Sequence, residues 1–332
     1  MNTNLIPFLF LCAAGCASCQ EKSALKVTAK VLDDAGRPVE AAKVTVFVFD
    51  HWQPGEAFGK DIFKRLEAVT DIAGIVMFDS SSSRCDLTLR ASKTGHYNGS
   101  SGFKGTRGPN GRWEPWNPTV PVDLKRVLNP IPLVAKNVLQ GVGDYVPLPA
   151  NKAAYDLEVG DWTAPYGTGK SADLVFEIQG ETNSPDQNYD TTLTLSFSQQ
   201  QDGLVQVERP KDRSSAMVMP YLAPESGYQP QKSWRKLRIN TETIPGGYKQ
   251  GKTVDGTQLD EDYFLRLRTK LDEKGGIVSA HYAKVQNSFL WGVEGLIKFQ
   301  YHFNPTPNDR NLEFDPSRNL LNVLPQEKVE QP

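Results

Sequence analysis

The chain has 332 residues, with 37 Lys and Arg against 39 Asp and Glu, for a formal net charge of −2. Charges of both signs are interspersed, so there is no basic field to hold nucleic acid and neither a basic arm nor an acidic tail. Hydrophobic residues at 39% and charged residues at 23% describe a globular chain long enough for two domains, and 27 Gly with 23 Pro suit a turn-rich β protein.

The first element is an address label. Leu5 to Gly15 (LIPFLFLCAAG) is an apolar run of signal-peptide length, too short to span a bilayer as a stable helix. Ala13, Ala14 and Gly15 then lead directly into Cys16. A small-residue tripeptide ending in Gly before Cys resembles the lipobox of bacterial lipoproteins. That resemblance implies a diacylglyceryl group on the Cys16 thiol, cleavage ahead of Cys16, and export to the cell envelope on a lipid anchor. Ala13 stands where the family prefers Leu, and MNTN carries no Lys or Arg. The rival reading is plain secretion, with a cut near Ala17 or Ser18. Cys12, Cys16 and Cys19 have a C-x3-C-x2-C spacing, but two of these thiols lie in a segment to be removed or acylated, so no metal site is expected. Cys19 and Cys85 are the remaining thiols and could pair in an oxidising compartment.

From Ala24 the pattern alternates. Leu25, Val27, Ala29 and Val31 share one face, DDAGRPV (33–39) makes a turn, and AKVTVFVFD (42–50) reads as a strand with at least one buried face. EAVTDIAGIVMFD (67–79) reads as strand, turn, strand, and CDLTLRASKTGHY (85–97) as another strand. VLDDAGRPVEAAKVTV, VTDIAGIVMF and LTLRASKTGHY together resemble the carboxypeptidase-regulatory-like domain, a small transthyretin-like β-sandwich. Asp33, Gly36, Pro38, Val39, Ala42, Val44, Thr70, Asp71, Gly74, Gly95 and Tyr97 fall on its pattern. The resemblance covers about a quarter of the chain and implies a non-catalytic accessory module, with Gly36 and Gly74 as structural turns.

GFKGTRGPNGRWEPWNPTVPVD (102–123) is rich in Gly and Pro and reads as linker or long loop. Its Trp113 and Trp116 are candidate binding residues, a flat face for a sugar ring or a protein, unless they clamp the two domains. The Pro-punctuated stretch 129–149 reads as extended, and a short helix fits around Ala150–Tyr155. Beyond Gly160 the strands return: 172–178, 192–198, 204–208, 234–240, the hairpin 263–285 and 296–303. The hairpin sets Leu265, Leu267 and Leu271 against Arg266, Arg268 and Lys270. Residues 304–321 form a polar strap with Leu312, Phe314 and Leu320 as packing residues. YDLEVGDWTAPYGTGK, DEKGG and NPTPNDRNLEFDP are reminiscent of secreted bacterial proteins that follow a regulatory-like domain, which carries no activity over.

The organisation expected is all-β: residues 1–23 as signal peptide and tether, 24–105 as the regulatory-like β-sandwich, 106–150 as linker, and 151–325 as a second β-sandwich. APYGTGKS (164–171) fits a relaxed P-loop, yet a strand follows where the motif needs a helix, so it reads as a Gly-rich turn. His51, His96, His281 and His302 form no metal spacing, and His281 and His302 fall in strands as structural histidines. DGTQLDEDY (255–263) lacks the Gly and Glu of an EF-hand and reads as a solvated acidic loop. No catalytic or metal residue and no cofactor is assigned. The reading is a non-catalytic envelope lipoprotein that meets the membrane through its anchor and a carbohydrate or an envelope protein through its sandwiches. The alternative is a secreted carbohydrate- or peptide-acting enzyme.

Overall fold

A computed structural model describes residues 22–55, 58–138, 152–182, 188–209, 213–243, 249–257 and 261–332. Cys12, Cys16 and Cys19 lie outside the described residues, so the lipobox reading and the pairing of Cys19 do as well. The described residues form two compact units: those of 22–93 with 99–124, and those of 94–98 with 125–332. The described residues are nearly all β, packed as sandwich-like sheets, with 3-10 turns at Pro316–Arg318 and Pro325–Glu327.

The first unit contains β1 (Ser23–Leu32), β2 (Lys43–Gln53), β3 (Lys60–Val69), β4 (Ile75–Ser82), β5 (Asp86–Ser92), β6 (Gly99–Lys104), β7 (Thr106–Arg107), β8 (Trp113–Glu114) and β9 (Thr119–Asp123). One sheet runs β4-β1-β9, and the other carries the unit's strands in the order β6-β5-β2-β3. All pairings are antiparallel except β1 with β9. Val27, Ala29 and Val31 of β1 meet Val44, Val46 and Val48 of β2, Leu87 and Leu89 of β5, and Val120 and Val122 of β9 in one core. The boundary at 105 is therefore corrected. Residues 106–124 are part of this unit, because β9 completes the three-stranded sheet and Trp113 fills its core.

The two D-x-x-G turns are explained by their hydrogen bonds. Asp33 Oδ1 accepts from the amides of Ala35 and Arg37, and Asp71 Oδ1 from those of Ala73 and Ile75, each at 2.8–2.9 Å. Gly36 and Gly74 follow at φ +74° and +71°, where a Cβ is strained. Thr70 ties the two turn regions together: its hydroxyl donates to Val39 O at 2.7 Å and accepts from the Ala42 amide at 2.9 Å. Thr70→Val leaves both buried backbone groups unsatisfied, and is expected to cost about 1–3 kcal/mol, read as a lower urea midpoint. Thr70→Ser keeps the hydroxyl and stays near the wild type.

The second unit contains β10 (Val134–Val138), β11 (Lys152–Asp156), β12 (Asp161–Trp162), β13 (Leu174–Thr182), β14 (Tyr189–Ser196), β15 (Gly203–Val207), β16 (Arg213–Ser215), β17 (Gln231–Thr243), β18 (Lys249–Asp255), β19 (Asp262–Leu271), β20 (Ile277–Trp291) and β21 (Ile297–Asn304). The short helix expected around 150–155 is instead β11, because Lys152–Tyr155 pair with Leu174–Glu177 of β13. A six-stranded sheet, β12-β11-β13-β14-β17-β18, faces a five-stranded one, β10-β21-β20-β19-β15. Phe176 of the first lies 5.9 Å from Phe299 and 5.7 Å from Phe289 of the second, and Tyr155 lies 5.2 Å from Phe299.

The outer face of the five-stranded sheet is also covered. Phe264 and Tyr282 pack there with Met219, Ala223, Leu312, Phe314 and Val329. The strap therefore packs as expected at Leu312 and Phe314, whereas Leu320 is exposed and Leu321 is the neighbour that turns inward. Arg266, assigned to the polar side of the hairpin, is buried. It lies over the Tyr228 ring at 4.6 Å and donates to Gln201 O.

Candidate functional site

The sequence nominated Trp113 and Trp116 as one face, and they do not form one. Trp113 is 1% exposed and stacks on Phe103 at 6.5 Å, whereas Trp116 is 43% exposed beneath the Arg112 guanidinium at 4.9 Å. Alternation decides this: β8 sends Trp113 into the core that Val27 and Leu89 line.

A different aromatic group stands out on the β2–β3 hairpin. Along β2, Val44, Val46 and Val48 point into the core until a bulge between Phe49 and His51 shifts the register against β3. The extra residue turns the end of the strand outward. Beyond it Trp52 is 54% exposed and lies across Gly59, where any Cβ would collide with the indole. Phe58 is 91% exposed and Phe63 48%. The base of the group is fixed: Phe63 meets Phe49 edge-on at 6.1 Å, and the Arg84 guanidinium sits 3.7 Å over the Phe49 ring. Arg84 also grips Asp61 with a fork of two hydrogen bonds.

The start of β1 is at this end of the unit. Ser23 pairs with Ser82, whose hydroxyl donates to Phe49 O at 2.8 Å. Lys22 Nζ donates to Asp50 Oδ1 at 2.7 Å, and that bond, followed by the one from His51, holds the Asp50 carboxyl well below the usual carboxylate range. The signal for this surface was present in DHWQPGEAFGK, where aromatics flank a Pro-Gly turn with no core to enter.

The second unit carries two charge constellations. Arg268 sits in a bulge of the β19–β20 pairing at φ +52°, a strained position for a side-chain residue. Asp202 holds that backbone by accepting from the Arg268 and Thr269 amides at 3.0 and 2.9 Å. The guanidinium donates to Asp173 at 2.8 and 2.9 Å, to Asp156 at 3.0 Å and to Glu158, and lies 5.1 Å from the Phe303 ring. His281 stacks on Phe303 at 5.8 Å. Burial raises the Asp173 carboxyl above its usual range, and Arg268 offsets only part of that rise. Burial works against the charge of Arg268 too, but Asp173 and Glu158 outweigh it and keep the guanidinium firmly protonated.

This cluster accounts for the P-loop-like turn. The Lys170 and Ser171 amides donate to Asp156 Oδ2 at 2.8 and 2.9 Å, and the Thr168 amide to Asp161 Oδ2 at 2.8 Å. The N–H groups that would cradle a phosphate are turned onto carboxylates, and β13 follows where a P-loop places a helix.

The other constellation is buried. Lys284 of β20 pairs across with Phe264 and with His302, and its Nζ has no hydrogen-bond partner among the described residues. Burial, reinforced by Lys125, pushes its pKa down to about 7, against the pull of Asp262 and Glu313. His302 Nε2 donates one hydrogen bond to Gln331 O at 3.1 Å, its Nδ1 has no partner among the described residues, and burial with Lys284 beside it holds the ring well below its usual pKa. The nearby acids are committed elsewhere. Asp262 takes a two-pronged grip from Arg209 and the Asn287 amide, and Glu313 accepts from the Tyr97 hydroxyl and the amides of Leu128 and Asn129. The acidic stretch 255–263 is accordingly not a solvated loop throughout, because Glu261 and Asp262 are buried.

No family model and no curated protein matches the chain. Among solved structures, wild-type catechol 1,2-dioxygenase from Acinetobacter radioresistens aligns at 13% identity and TM-score 0.25, over 34% of this chain and 55% of that one. The enzyme from Acinetobacter sp. ADP1, inhibited by bound mercury, aligns at 14% identity and TM-score 0.24 over the same shares. The chain thus spans about half the length of the dioxygenases it matches, and a likeness at that level carries no argument.

Proposed function

We propose that the chain is an exported, lipid-anchored protein of the bacterial cell envelope with a non-catalytic role, binding through its first β-sandwich. The observation that carries this reading is the exposed aromatic end of the β2–β3 hairpin. Trp52, Phe58 and Phe63 stand there on a base braced by Phe49 and Arg84, at the end of the unit where Lys22 and the start of β1 lie. Aromatics held out of a core in this way suit contact with a sugar ring, a protein surface or a headgroup layer. The resemblance of residues 24–105 to a regulatory-like module supports an accessory rather than a catalytic role. The D-x-x-G turns of that resemblance are structural here, with Asp33 and Asp71 spent on backbone amides.

The test is fractionation of the host. Wild-type protein is expected in the membrane fraction, and Cys16→Ala is expected in the soluble fraction at comparable abundance. Equal distribution of the two proteins sinks the anchored reading and favours plain secretion.

A further inference from the structure

We propose that the aromatic end of the β2–β3 hairpin rests on the bilayer that holds the anchor, so that the first unit is docked on the membrane surface rather than swinging free. This rests on the lipid-anchored reading above and names the partner of the same surface. Three observations carry it.

The first is reach. Five residues separate Cys16 from Lys22, and the six Cα-to-Cα steps between them span at most about 20 Å when fully extended. A diacylated Cys16 therefore keeps Lys22 within that distance of the headgroups.

The second is where the tether arrives. Lys22 is bonded to Asp50, two residues before Trp52, and Ser23 is joined through Ser82 to Phe49. The short leash ends beside the aromatic group and not at the Ile72 end of the hairpin, where β3 leads into the 70–75 turn.

The third is chemistry. Trp52, Phe58 and Phe63 are the residue types that settle at the boundary between headgroups and acyl chains. Lys60 is exposed beside them, with a stem able to reach a phosphate, while Lys64 and Arg84 hold Asp50 and Asp61 and so neutralise the two carboxylates nearest the rings. Phe63, the innermost of the three, is backed edge-on by the buried Phe49 ring, so the apolar group stands on a packed base.

The experiment uses the full mature chain, extracted with its lipid and reconstituted into vesicles of phosphatidylethanolamine and phosphatidylglycerol with dibrominated acyl chains. Tryptophan emission is compared for the wild type and Trp52→Phe, and intact mass is recorded on the same samples. Trp52 is exposed, so Phe at that site leaves the core untouched, and matching urea midpoints verify it. The proposal expects brominated lipid to quench part of the wild-type emission and Trp52→Phe to lose most of that quenching. A diacylated protein whose quenching is equal in both, or absent in both, overturns membrane docking and leaves the anchor standing, so that the hairpin serves a glycan or a protein. A mass without the diacylglyceryl group overturns the anchor, and docking through it falls too.

Discussion

Lys284→Met is expected to stabilise the second unit at pH 7 and to remove most of the dependence of its stability on alkaline pH. The Nζ of Lys284 is fully enclosed between β19, β21 and the covering segments, without a hydrogen-bond partner among the described residues. Its pKa falls from 10.5 to about 7, which at about 1.4 kcal/mol per pH unit corresponds to on the order of 4–5 kcal/mol held against the folded state. Met fills a similar volume with no group to desolvate. Some of that figure is lost to imperfect repacking, leaving an expected gain of roughly 2–4 kcal/mol.

The direction with pH is fixed by proton counting. Between pH 7 and 10.5 the unfolded chain carries a proton on Lys284 that the folded chain does not. Stability therefore rises with pH through that window and is lost as pH falls back toward 7. His302 acts in the same direction at lower pH. Its folded pKa is well below 6.5, so stability drops further as the unfolded chain takes up a proton below that value. Urea unfolding at pH 7 and 9.5 checks the account. The wild type should be more stable at pH 9.5, and Lys284→Met should show a much smaller difference. A destabilised Lys284→Met with the wild-type slope would mean that the amine is charged and paired.

Arg268→Ala is expected to have the largest destabilising effect, about 3–5 kcal/mol at pH 7. It would leave Asp173 buried with one remaining amide donor, from Leu157, and would take a cation from between Asp156, Asp173 and Glu158. The side chain also covers Phe303, so packing is lost with charge. Arg268→Lys should recover only part, because an ammonium cannot replace the fork that bridges three carboxylates. In the Ala variant Asp173, already raised by burial, binds a proton in the folded state at a pH where the unfolded carboxyl does not. The deficit against the wild type should then narrow as pH falls from 7 toward 5. A deficit under about 1 kcal/mol at pH 7 would place the cluster among surface ion pairs.

Much of the fold is legible where strands are self-contained. β1, β2, β5 and β21 alternate cleanly, and the Asp-x-x-Gly turns declare themselves through Gly36, Gly74 and Gly275, all at positive φ. The segment 106–124 was not legible, because β9 owes its place to a neighbour. Pro118 and Pro121 argue against a strand, yet Pro121 is tolerated on an edge while Val120 and Val122 turn inward. Arg268 was misplaced by one residue of bulge. The alternation assigned it to the side of Arg266, and the irregular pairing after Leu267 aims it at Phe303 instead. The burial of Lys284 could not be foreseen, since nothing in its neighbourhood announces that residues 216–224 join the strap in covering the outer face of its sheet. The aromatic hairpin was the nearest miss. Its rings were in view, and only the bulge at Phe49 shows that they stay outside.

Display on a lipid anchor is tested by the intact mass of the protein extracted from the membranes of its own host. The account predicts a chain beginning at Cys16 with a diacylglyceryl group on its sulfur. An unmodified chain beginning near Ala17 or Ser18, recovered from the soluble fraction, would contradict it.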